Sequence, residues 1–486
     1  EGALSAETPV RARLAYDELL ANQLALQIIR AKMKKRPGRS IKGDRRLTSQ
    51  VMQSLPFELT GSQRMALAEI AADMAEPSTM LRLLQGDVGS GKTIVALFAM
   101  LEAVECGGQA ALMAPTEILA RQHMATIEPL VSAIGLKVAV LTGRGKAKAR
   151  REILADLESG EINIIIGTHA LFQEAVQLQD LMVAVIDEQH RFGVHQRLNL
   201  ADKGKGVDVL VMTATPIPRT LLLTAYGDLE TSQLREKPLG RKPIDTRTVP
   251  LERLSEVVDA LDRHLSNGAK AYWVCPLVEE SENIDLAAAE ERYAHLKARF
   301  GDQIAVVHGR MKAAEKDDAM KRFIDGDARV LVATTVIEVG VDVPDATVMI
   351  IEHAERFGLA QLHQLRGRVG RGSDHSSCLL LFAAPLGETA RARLKIMRET
   401  EDGFRIAEED LRLRGGGEIL GTRQSGLPAF RLADLAVHGE LLAAARDDAK
   451  LILNRDPDLQ SERGASLRVL LYLFERDAAV LNLRSG

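Results

Sequence analysis

The residues from Gly86 to Thr93, GDVGSGKT, have the spacing of a phosphate-binding loop, G-x-x-x-x-G-K-[ST]. Glycines let backbone N–H groups converge on phosphate oxygens, and the helix that is expected after the loop adds a favourable dipole. We therefore expect a bound nucleotide, with Lys92 pairing with its β- and γ-phosphates and Thr93 coordinating Mg²⁺. The residues predicted to contact the nucleotide here are Gly86, Gly89, Ser90, Gly91, Lys92 and Thr93.

Two adjacent carboxylates, Asp187 and Glu188, follow the apolar run LMVAVI. A buried strand that ends at this point would deliver both to a catalytic site beside the phosphate loop. Asp187 is then expected to hold Mg²⁺, and Glu188 to orient or deprotonate the attacking water. The alternative is a pair that caps the end of a strand. His190 and His195 follow, but their spacing matches no metal motif, so we expect a structural or coupling role for them.

A second set of charged residues lies far downstream, in QLHQLRGRVGRG. Arg368 and Arg371 are three residues apart, so on a helix they would share one face. We expect them to reach the γ-phosphate across a cleft, as arginine fingers supplied by the same chain. The alternative is a basic helix on the surface.

Apolar runs predict how these residues are positioned. From Met80, short β-rich runs alternate with helix-length segments, which is typical of βαβ units in a parallel sheet. The alternation stops near Tyr226, is followed by REKPLGRKPIDTR, interpreted as a linker, and resumes with KAYWVCP. Residues 11–33 predict a long amphipathic helix, and helices replace strands beyond Gly387. The sequence therefore predicts an α/β protein with two sheets in tandem and helical additions.

Bulk composition limits the classes of function. The 486 residues suggest roughly three domains of about 150 residues each. A formal net charge of −4 means that any contact with nucleic acid must come from local basic patches. Cys106, Cys275 and Cys378 show no paired spacing, which suits a reducing cytosol and argues against a disulfide framework or a zinc site. No apolar run reaches the roughly 18 residues of a membrane span.

Two segments carry concentrated positive charge. Residues 30–46 hold nine Lys or Arg against one Asp, and residues 144–151 hold five basic side chains. Lys146 and Lys148, with Arg310 in VVHGRM, are the expected phosphate contacts, because lysine and arginine release counterions when they bind a nucleic-acid backbone. In both segments the alternative is a solvated basic loop.

Several motifs together resemble those of superfamily 2 helicases. Gln63 in LTGSQRMAL, the phosphate loop, APTEILARQ, GTHAL, DEQH and TATPIPRT occur in the order found in that family. The resemblance implies two RecA-like lobes and ATP as the nucleotide, with Gln63 contacting adenine. ATTVIEVGVDVPDA is similar to the family's fifth motif, which implies Gly340 and Asp342 near the nucleotide. The nucleic-acid contacts or coupling residues that it implies are Thr116, Thr168, Gln189, His190, Thr213, Thr215 and Thr334 or Thr335.

Two further stretches narrow the resemblance. IDEQHRFGVHQR closely resembles the RecG branch-migrating helicases, whereas DEAD in place of DEQH marks the commonest RNA-unwinding group. Residues 413–426, LRGGGEILGTRQSG, with the helical sequence before them, resemble a motif that RecG proteins share with transcription-repair coupling translocases. There, a helical hairpin and a glycine-rich loop relay lobe motion to duplex DNA. The implied contacts are Arg393, Arg414 and Gln424, and glycines would let the loop change conformation; the alternative is a simple linker.

The resemblance implies an ATP- and Mg²⁺-dependent translocase on double-stranded DNA that remodels stalled forks and Holliday junctions by branch migration and fork reversal, in recombination and repair. The expected partners are double-stranded and branched DNA, with a single-strand-DNA-binding protein as a further candidate. We expect a monomer, no membrane contact, and a bacterial cytoplasmic location at the nucleoid. The alternatives are an RNA-dependent ATPase or helicase, the motor of a transcription-repair coupling translocase, and a nucleotide-gated scaffold.

The resemblance also implies an organisation in five parts. RecG proteins normally begin with a wedge domain that splits strands, and here only a helix and a basic loop precede the motor motifs. Junction recognition and strand separation are therefore not expected of this chain alone. The expected parts are 1–50, linker helix and basic loop; 51–235, lobe 1; 236–386, lobe 2; 387–447, helical hairpin and glycine-rich loop; and 448–486, helical tail.

Overall fold

The structure, a computed structural model, describes residues 8–34, 38–143, 147–173, 175–188, 204, 206–218, 229–238, 240–276, 282–334, 343, 345–370, 372, 374–421, 430–435 and 437–476. Residues 29–30, 32–34, 172, 282–289, 313 and 414–421 are described by their backbone alone. Two parallel sheets and a separate group of helices organise these residues.

Lobe 1 is built, over its described residues, on a seven-stranded parallel sheet. Most of its strands are continuous apolar runs, as expected for a sheet that helices cover on both faces. Neighbouring residues of one strand therefore enter different cores: Leu84 packs on one face and Leu83 on the other. The strands are β1 (Leu81–Gly86), β2 (Gln109–Met113), β3 (Val138–Leu141), β4 (Ile164–Gly167), β5 (Leu181–Ile186), β6 (Asp208–Thr213) and β7 (Glu230–Leu234), in the order β3-β4-β2-β5-β6-β1-β7.

Lobe 2 contains a second parallel sheet, of six strands in the part of the chain that the structure describes. Its cores also lie on both faces; Tyr272 packs on one side and Trp273 on the other. The strands are β8 (Ile244–Pro250), β9 (Lys270–Val274), β10 (Ile304–Val307), β11 (Val330–Ala333), β12 (Ala346–Ile351) and β13 (Ser376–Phe382), in the order β10-β11-β9-β12-β13-β8.

Helices cover the sheets and form the ends of the chain. Their sequences carry local start signals: Thr60 accepts a hydrogen bond from the backbone of Gln63, whose side chain bonds back to Thr60 N, which is a complete capping box. In the described residues they are α1 (Pro9–Lys34), α2 (Arg46–Ser54), α3 (Gly61–Met74), α4 (Lys92–Glu105), α5 (Glu117–Ser132), α6 (Ala147–Glu158), α7 (Leu254–Ser266), α8 (Glu282–Phe300), α9 (Ala313–Asp325), α10 (Leu359–Arg366), α11 (Glu388–Glu399), α12 (Gly403–Gly421), α13 (Gly439–Arg455) and α14 (Glu462–Leu473).

The predicted fold class is confirmed: two parallel-sheet lobes in tandem are followed by helices. Two strands were missed, however. β7 has the polar sequence ETSQL, and β8 begins inside the stretch interpreted as a linker. Both are edge strands, which pair with another strand of the described sheet on one side only. The apolar pattern that identifies a central strand is weak in such strands.

The first helix and the last two helices form one unit. Side chains of α1 pack with those of α13 and α14 in a core of their own. Glu18 of α1 is buried, and its carboxylate accepts hydrogen bonds from the backbone N–H groups of Arg431, Leu432 and Ala433 at 2.7, 2.8 and 2.9 Å. This contact joins residues more than 400 positions apart.

Two expected boundaries fall inside helices. α2 crosses residue 50, and its Leu47 and Val51 are buried in the core of lobe 1. α13 crosses residue 448. Among the described residues, no helix combines the length and apolar character that crossing a lipid bilayer would require.

Candidate active site

The phosphate loop follows β1 and leads directly into α4. Gly89 and Gly91 have φ of 75° and 86°, a left-handed conformation that glycine adopts without steric cost. Lys92 begins the helix and is buried, and its ammonium group donates hydrogen bonds to the carbonyls of Gly86 at 2.6 Å and Asp87 at 2.9 Å. The cation is thus held over the loop at a helix N-terminus, an arrangement suited to phosphate.

Gln63 braces this loop from α3. Its side-chain amide donates to the carbonyl of Ser90 at 2.8 Å, and its oxygen accepts from Thr60 N at 2.8 Å. A Cβ at Gly91 would lie only 2.2 Å from Gln63 Nε2, so only glycine leaves room for this contact. The structure brings Gln63 to the phosphate loop, where its amide positions the loop backbone.

Asp187 lies at the carboxyl end of β5, as predicted from the sequence, and its side chain is buried. One carboxylate oxygen is 2.8 Å from Nε2 of His123, a buried residue of α5. Burial alone would raise the pKa of Asp187, but the hydrogen bond and attraction of His123, with the nearby ammonium of Lys92, hold that pKa below its ordinary value. The carboxylate is therefore kept ionised.

Glu188 follows Asp187 in an unusual backbone conformation. Its φ is +55°, in the left-handed region, which costs a non-glycine residue on the order of 1 kcal/mol. Strain of this kind persists only where surrounding contacts maintain it, and it is concentrated at functional sites. The Glu188 side chain is half-buried. Because of this backbone conformation, it leaves the chain in a different direction from the side chain of a residue that continues the strand.

Lobe 2 meets the phosphate loop at Asp87. Its carboxylate is 3.1 Å from Nε2 of His363 on α10, and it accepts from Gly403 N at the start of α12 at 3.3 Å. Arg366 Nη2 lies 3.1 Å from His363 Nδ1. A guanidinium can only donate, so His363 Nδ1 accepts and Nε2 carries the proton that bonds to Asp87. Although burial would raise it, the pKa of Asp87 is lowered by these hydrogen bonds and by Lys92.

The same network extends into the hairpin formed by α11 and α12. The buried side chain of Arg366 donates to the carbonyls of Met397 at 2.7 Å and Thr400 at 3.0 Å, around the turn between the two helices. The phosphate loop is therefore joined to the hairpin both through His363 and Arg366 and directly at Gly403.

A second contact between the lobes involves the residues after β6. β6 lies between β5 and β1, so Thr213 at its end lies between Asp187 and the phosphate loop. Thr213 Oγ1 accepts from Thr215 N at 3.2 Å, and Thr215 Oγ1 accepts from the side-chain amide of Gln364 on α10.

The expectation that Arg368 and Arg371 share a helix face is wrong for Arg368. α10 ends at Arg366, and Arg368 lies in the following turn, where it is buried. Gly367 caps the helix, and Gly370 has φ of 76°, which a continuing α-helix does not allow. Arg368 is still next to the helix that contacts the phosphate loop. Arg371 lies outside the described residues.

The expected nucleic-acid contacts occupy varied surroundings. Thr116 caps α5 and accepts from Leu119 N at 3.3 Å, and Thr168 is buried at the end of β4. Lys148 is 86% exposed, and Arg310 is exposed after β10. Arg393, on α11, is half-buried and donates to the carbonyl of Phe357 at 3.4 Å.

The glycine-rich stretch differs from the loop expected over residues 413–426. α12 continues through Gly415, Gly416 and Gly417 to Gly421. Leu413 packs against the core of lobe 2, which holds this part of the helix despite its glycines. Arg414 lies on α12 and is described by its backbone alone. The remaining expected site residues lie outside the described part: Lys146, Gln189, His190, Thr335, Gly340, Asp342, Arg371 and Gln424.

The residues of the site that were not predicted include Asp87, His123 and His363. His123 had a recognisable signal, because it falls on the buried stripe of α5 with Ala120 and Ile127. Asp87 and His363 are 276 positions apart, and only the contact between lobes brings them together. Within the described residues, no three His, Cys, Asp or Glu side chains gather in a way that could hold a metal.

Three family models match successive parts of the chain. A DEAD/DEAH box helicase model matches residues 60–223, a helicase conserved C-terminal domain matches residues 252–373, and the model "ATP-dependent DNA helicase RecG, domain 3, C-terminal" matches residues 400–473. The first match covers β1 to β6, the second covers β9 to β12, and the third covers α12 to α14.

Individual relatives agree with these matches. The chain is 50% identical over 93% of its length to an ATP-dependent DNA helicase RecG from Acidithiobacillus ferridurans. It is 48% identical over 92% of its length to that of Escherichia coli strain K12, and it spans 66% of the length of each. A solved structure, of RecG bound to a three-way DNA junction, is similar with a TM-score of 0.75 and 44% identity, covering 90% of this chain and 57% of that one. With identity at this level across both lobes and the hairpin, the chain belongs to the RecG family of ATP-dependent DNA helicases.

Proposed function

We propose that this chain is the motor of an ATP-driven translocase that moves on double-stranded DNA and remodels branched DNA. The observation that carries the proposal is the position of Asp87. This residue of the phosphate loop contacts both α10 of lobe 2 and the first residue of α12, so a change at the nucleotide would reach the hairpin directly at Gly403 and, through His363 and Arg366, at Thr400.

ATP binding follows from the geometry of the loop. The backbone N–H groups at the start of α4 and the ammonium of Lys92 would surround the β- and γ-phosphates. Gln63, whose amide donates to the carbonyl of Ser90 in the structure, is proposed to contact adenine. Gly340 and Asp342 are proposed to complete the nucleotide site from lobe 2.

The residues also fit a hydrated magnesium ion. One carboxylate, Asp187, and one hydroxyl, Thr93, lie beside the buried cation Lys92, and Mg²⁺ is usually held by one or two carboxylates together with substrate phosphates. Bound there, Mg²⁺ would neutralise charge on the phosphate oxygens.

Hydrolysis requires a correctly oriented water molecule and positively charged groups that compensate the negative charge of the γ-phosphate. Glu188, aimed by its left-handed backbone, is proposed to orient or accept a proton from the attacking water. Arg368 and Arg371 are proposed to approach the γ-phosphate from lobe 2. Arg368 lies two residues after Arg366, whose neighbour His363 already contacts the loop.

Coupling to DNA is proposed to run through α12. When phosphate contacts pull on the loop, the bonds from Asp87 transmit the displacement to Gly403 and, through Arg366, to the turn at Thr400. The far end of α12 holds glycines, each of which costs about 1 kcal/mol relative to alanine in a helix. That end can therefore unwind and re-form at low cost, with Arg393, Arg414 and Gln424 as the proposed polar contacts of the relay.

The backbone of the duplex is proposed to contact hydroxyl and basic side chains of both lobes. Such contacts position a protein without reading sequence, as a translocase requires. These residues are Thr116, Lys146, Lys148, Thr168, Gln189, His190, Thr213, Thr215, Arg310 and Thr335.

Branched DNA is the proposed substrate because one similar structure is of RecG bound to a three-way DNA junction. Fork reversal, branch migration, repair and recombination are proposed for the whole protein to which such a motor belongs. A monomeric state, contact with a single-strand-DNA-binding protein and a nucleoid location in the bacterial cytoplasm are parts of the same proposal. So is the division of the chain into a linker helix, two lobes, a hairpin and a tail, with the first and last boundaries moved out of α2 and α13.

ATP hydrolysis measured with different nucleic acids tests the proposal. We expect forked or linear duplex DNA to stimulate phosphate release by the chain far more than RNA of the same length does. Lys92→Ala serves as the control for contaminating activity. A larger stimulation by RNA would favour an RNA-dependent ATPase instead. Phosphate release that is equal in wild type, Glu188→Gln and Lys92→Ala would favour a nucleotide-gated scaffold that does not turn over.

A further inference from the structure

The segment that joins the two lobes, described over residues 235–238 and 240–243, lies against the nucleotide-binding elements of lobe 1. Glu236 accepts hydrogen bonds from Gly61 N at 2.8 Å and Ser62 N at 3.1 Å. Its carboxylate thereby caps the N-terminus of α3, the helix that carries Gln63. The inter-lobe segment is therefore fixed to the element that braces the phosphate loop.

The same segment also contacts the hairpin. Lys237 forms an ion pair with Glu401, in the turn between α11 and α12, and Ile244 N donates to the same carboxylate. Arg235 lies over the ring of Phe404, 5.1 Å from its centroid. One short segment thus touches both the braced loop and the start of α12.

Arg241 brings this segment onto the phosphate loop itself. Its Nη1 donates to the carbonyl of Val88 at 3.2 Å. A Cβ at Gly89 would be only 1.9 Å from Nη2 of Arg241, so this nitrogen occupies the space that a side chain at position 89 would need. The guanidinium therefore packs against the loop backbone at the residues that precede the phosphate-binding N–H groups.

We propose that Arg241 binds a phosphate of the nucleotide, as a third arginine distinct from Arg368 and Arg371. A planar guanidinium suits phosphate oxygens, and it lies beside a loop shaped to hold them. Arg241 is carried by the same inter-lobe segment as Glu236 and Lys237, so a shift of its guanidinium on phosphate binding would be passed along the backbone to α3 and to Glu401. The inference rests on the proposed function, because it takes the ligand to be ATP.

Nucleotide binding, measured without DNA, tests the inference. The probe is N-methylanthraniloyl-ATP, titrated into wild-type protein, Arg241→Ala and Arg241→Lys. We expect Arg241→Ala to weaken binding about ten-fold, as loss of a charged hydrogen bond does, and Arg241→Lys to recover part of the affinity. Arg247→Ala is the matched control, because Arg247 is exposed in lobe 2 and pairs with Asp245. Its affinity is expected to equal that of wild type.

Competition with adenosine separates phosphate binding from a distorted site. Adenosine carries no phosphate, so it is expected to bind Arg241→Ala and wild type equally. Equal weakening of adenosine and the ATP analogue would overturn the inference, and so would ATP-analogue affinity within about two-fold of wild type in Arg241→Ala. If wild-type protein bound no ATP analogue at all, the proposed function itself would fail.

Discussion

A buried histidine holds the carboxylate that is proposed to bind Mg²⁺. His123 and Asp187 are 2.8 Å apart, and both are less than 10% exposed. A partner of this kind fixes the orientation of a metal-binding carboxylate and keeps it ionised, and losing such a partner typically costs about 10- to 100-fold in metal affinity or activity.

We expect His123→Ala to raise the Mg²⁺ concentration that half-saturates ATP hydrolysis by about ten-fold. Asparagine at this position can still donate a hydrogen bond, so His123→Asn should recover part of the loss. The measurement is a Mg²⁺ titration of phosphate release at fixed ATP, and His264→Ala, an exposed histidine of α7, is the control. An unchanged Mg²⁺ dependence in His123→Ala would show that the contact only packs α5.

A second buried carboxylate makes stability depend on pH. Burial raises the pKa of Asp208 to about 7, the nearby Asp73 adds to the shift, and a hydrogen bond from Met80 N at 2.7 Å opposes it. Since the folded pKa lies above the unfolded one, the protonated form favours folding. That contribution is fully present below about pH 4 and is lost as pH rises to about 7.

Asp208→Asn should therefore stabilise the protein at pH 8, because asparagine accepts the same hydrogen bond and cannot ionise. Thermal unfolding measured at both pH values should show a rise in Tm of at least about 2 °C at pH 8 and no rise at pH 4. Asp245→Asn, at an exposed position, is the control. Equal Tm for Asp208→Asn and wild type at pH 8 would contradict the assignment.

At the scale of elements, α12 combines a fixed start with a weak end. Gly403 is bonded to the phosphate loop, whereas three consecutive glycines lie in the second half of the helix. Each lowers helix stability by about 1 kcal/mol relative to alanine. This weakness suits the proposed relay, because a helix end that unwinds easily could change its contact with DNA in each cycle.

The double variant Gly415→Ala/Gly417→Ala tests whether the end of α12 must unwind easily for movement on DNA. Alanine stabilises the helix, so we expect the variant to keep its DNA-stimulated ATP hydrolysis but to displace a triplex-forming strand from duplex DNA more slowly. Gly439→Ala, at the start of α13, provides a control for glycine replacement in a helix. Displacement at the wild-type rate would mean that the end of α12 need not unwind.

Sequence patterns predicted the elements with strong local signals. β1 to β6 and β9 to β13 were found because they are largely apolar, and the phosphate loop was found because its spacing is specific. β7 and β8 were missed because edge strands tolerate polar residues. The helix expected to carry Arg368 ends early because Gly367 and Gly370 follow it, and the loop expected over residues 413–426 is helical as far as Gly421.

At the scale of the whole molecule, contacts between the lobes are proposed to decide whether hydrolysis produces movement. Asp87 to His363, Asp87 to Gly403 and Thr215 to Gln364 all depend on how two separately folded sheets approach each other. No local pattern encodes such an approach, so the sequence indicated that a coupling element exists but not where it touches the nucleotide site.

The most direct test of the account is the number of triplex strands displaced per ATP hydrolysed, compared between wild type and Asp87→Ala. The ratio corrects for any change in hydrolysis itself, and Asp245→Ala serves as the control. If Asp87 transmits motion from the nucleotide to α12, the ratio should fall at least about ten-fold in Asp87→Ala, since two hydrogen bonds to a charged group are lost. An unchanged ratio would show that movement on DNA does not pass through this contact.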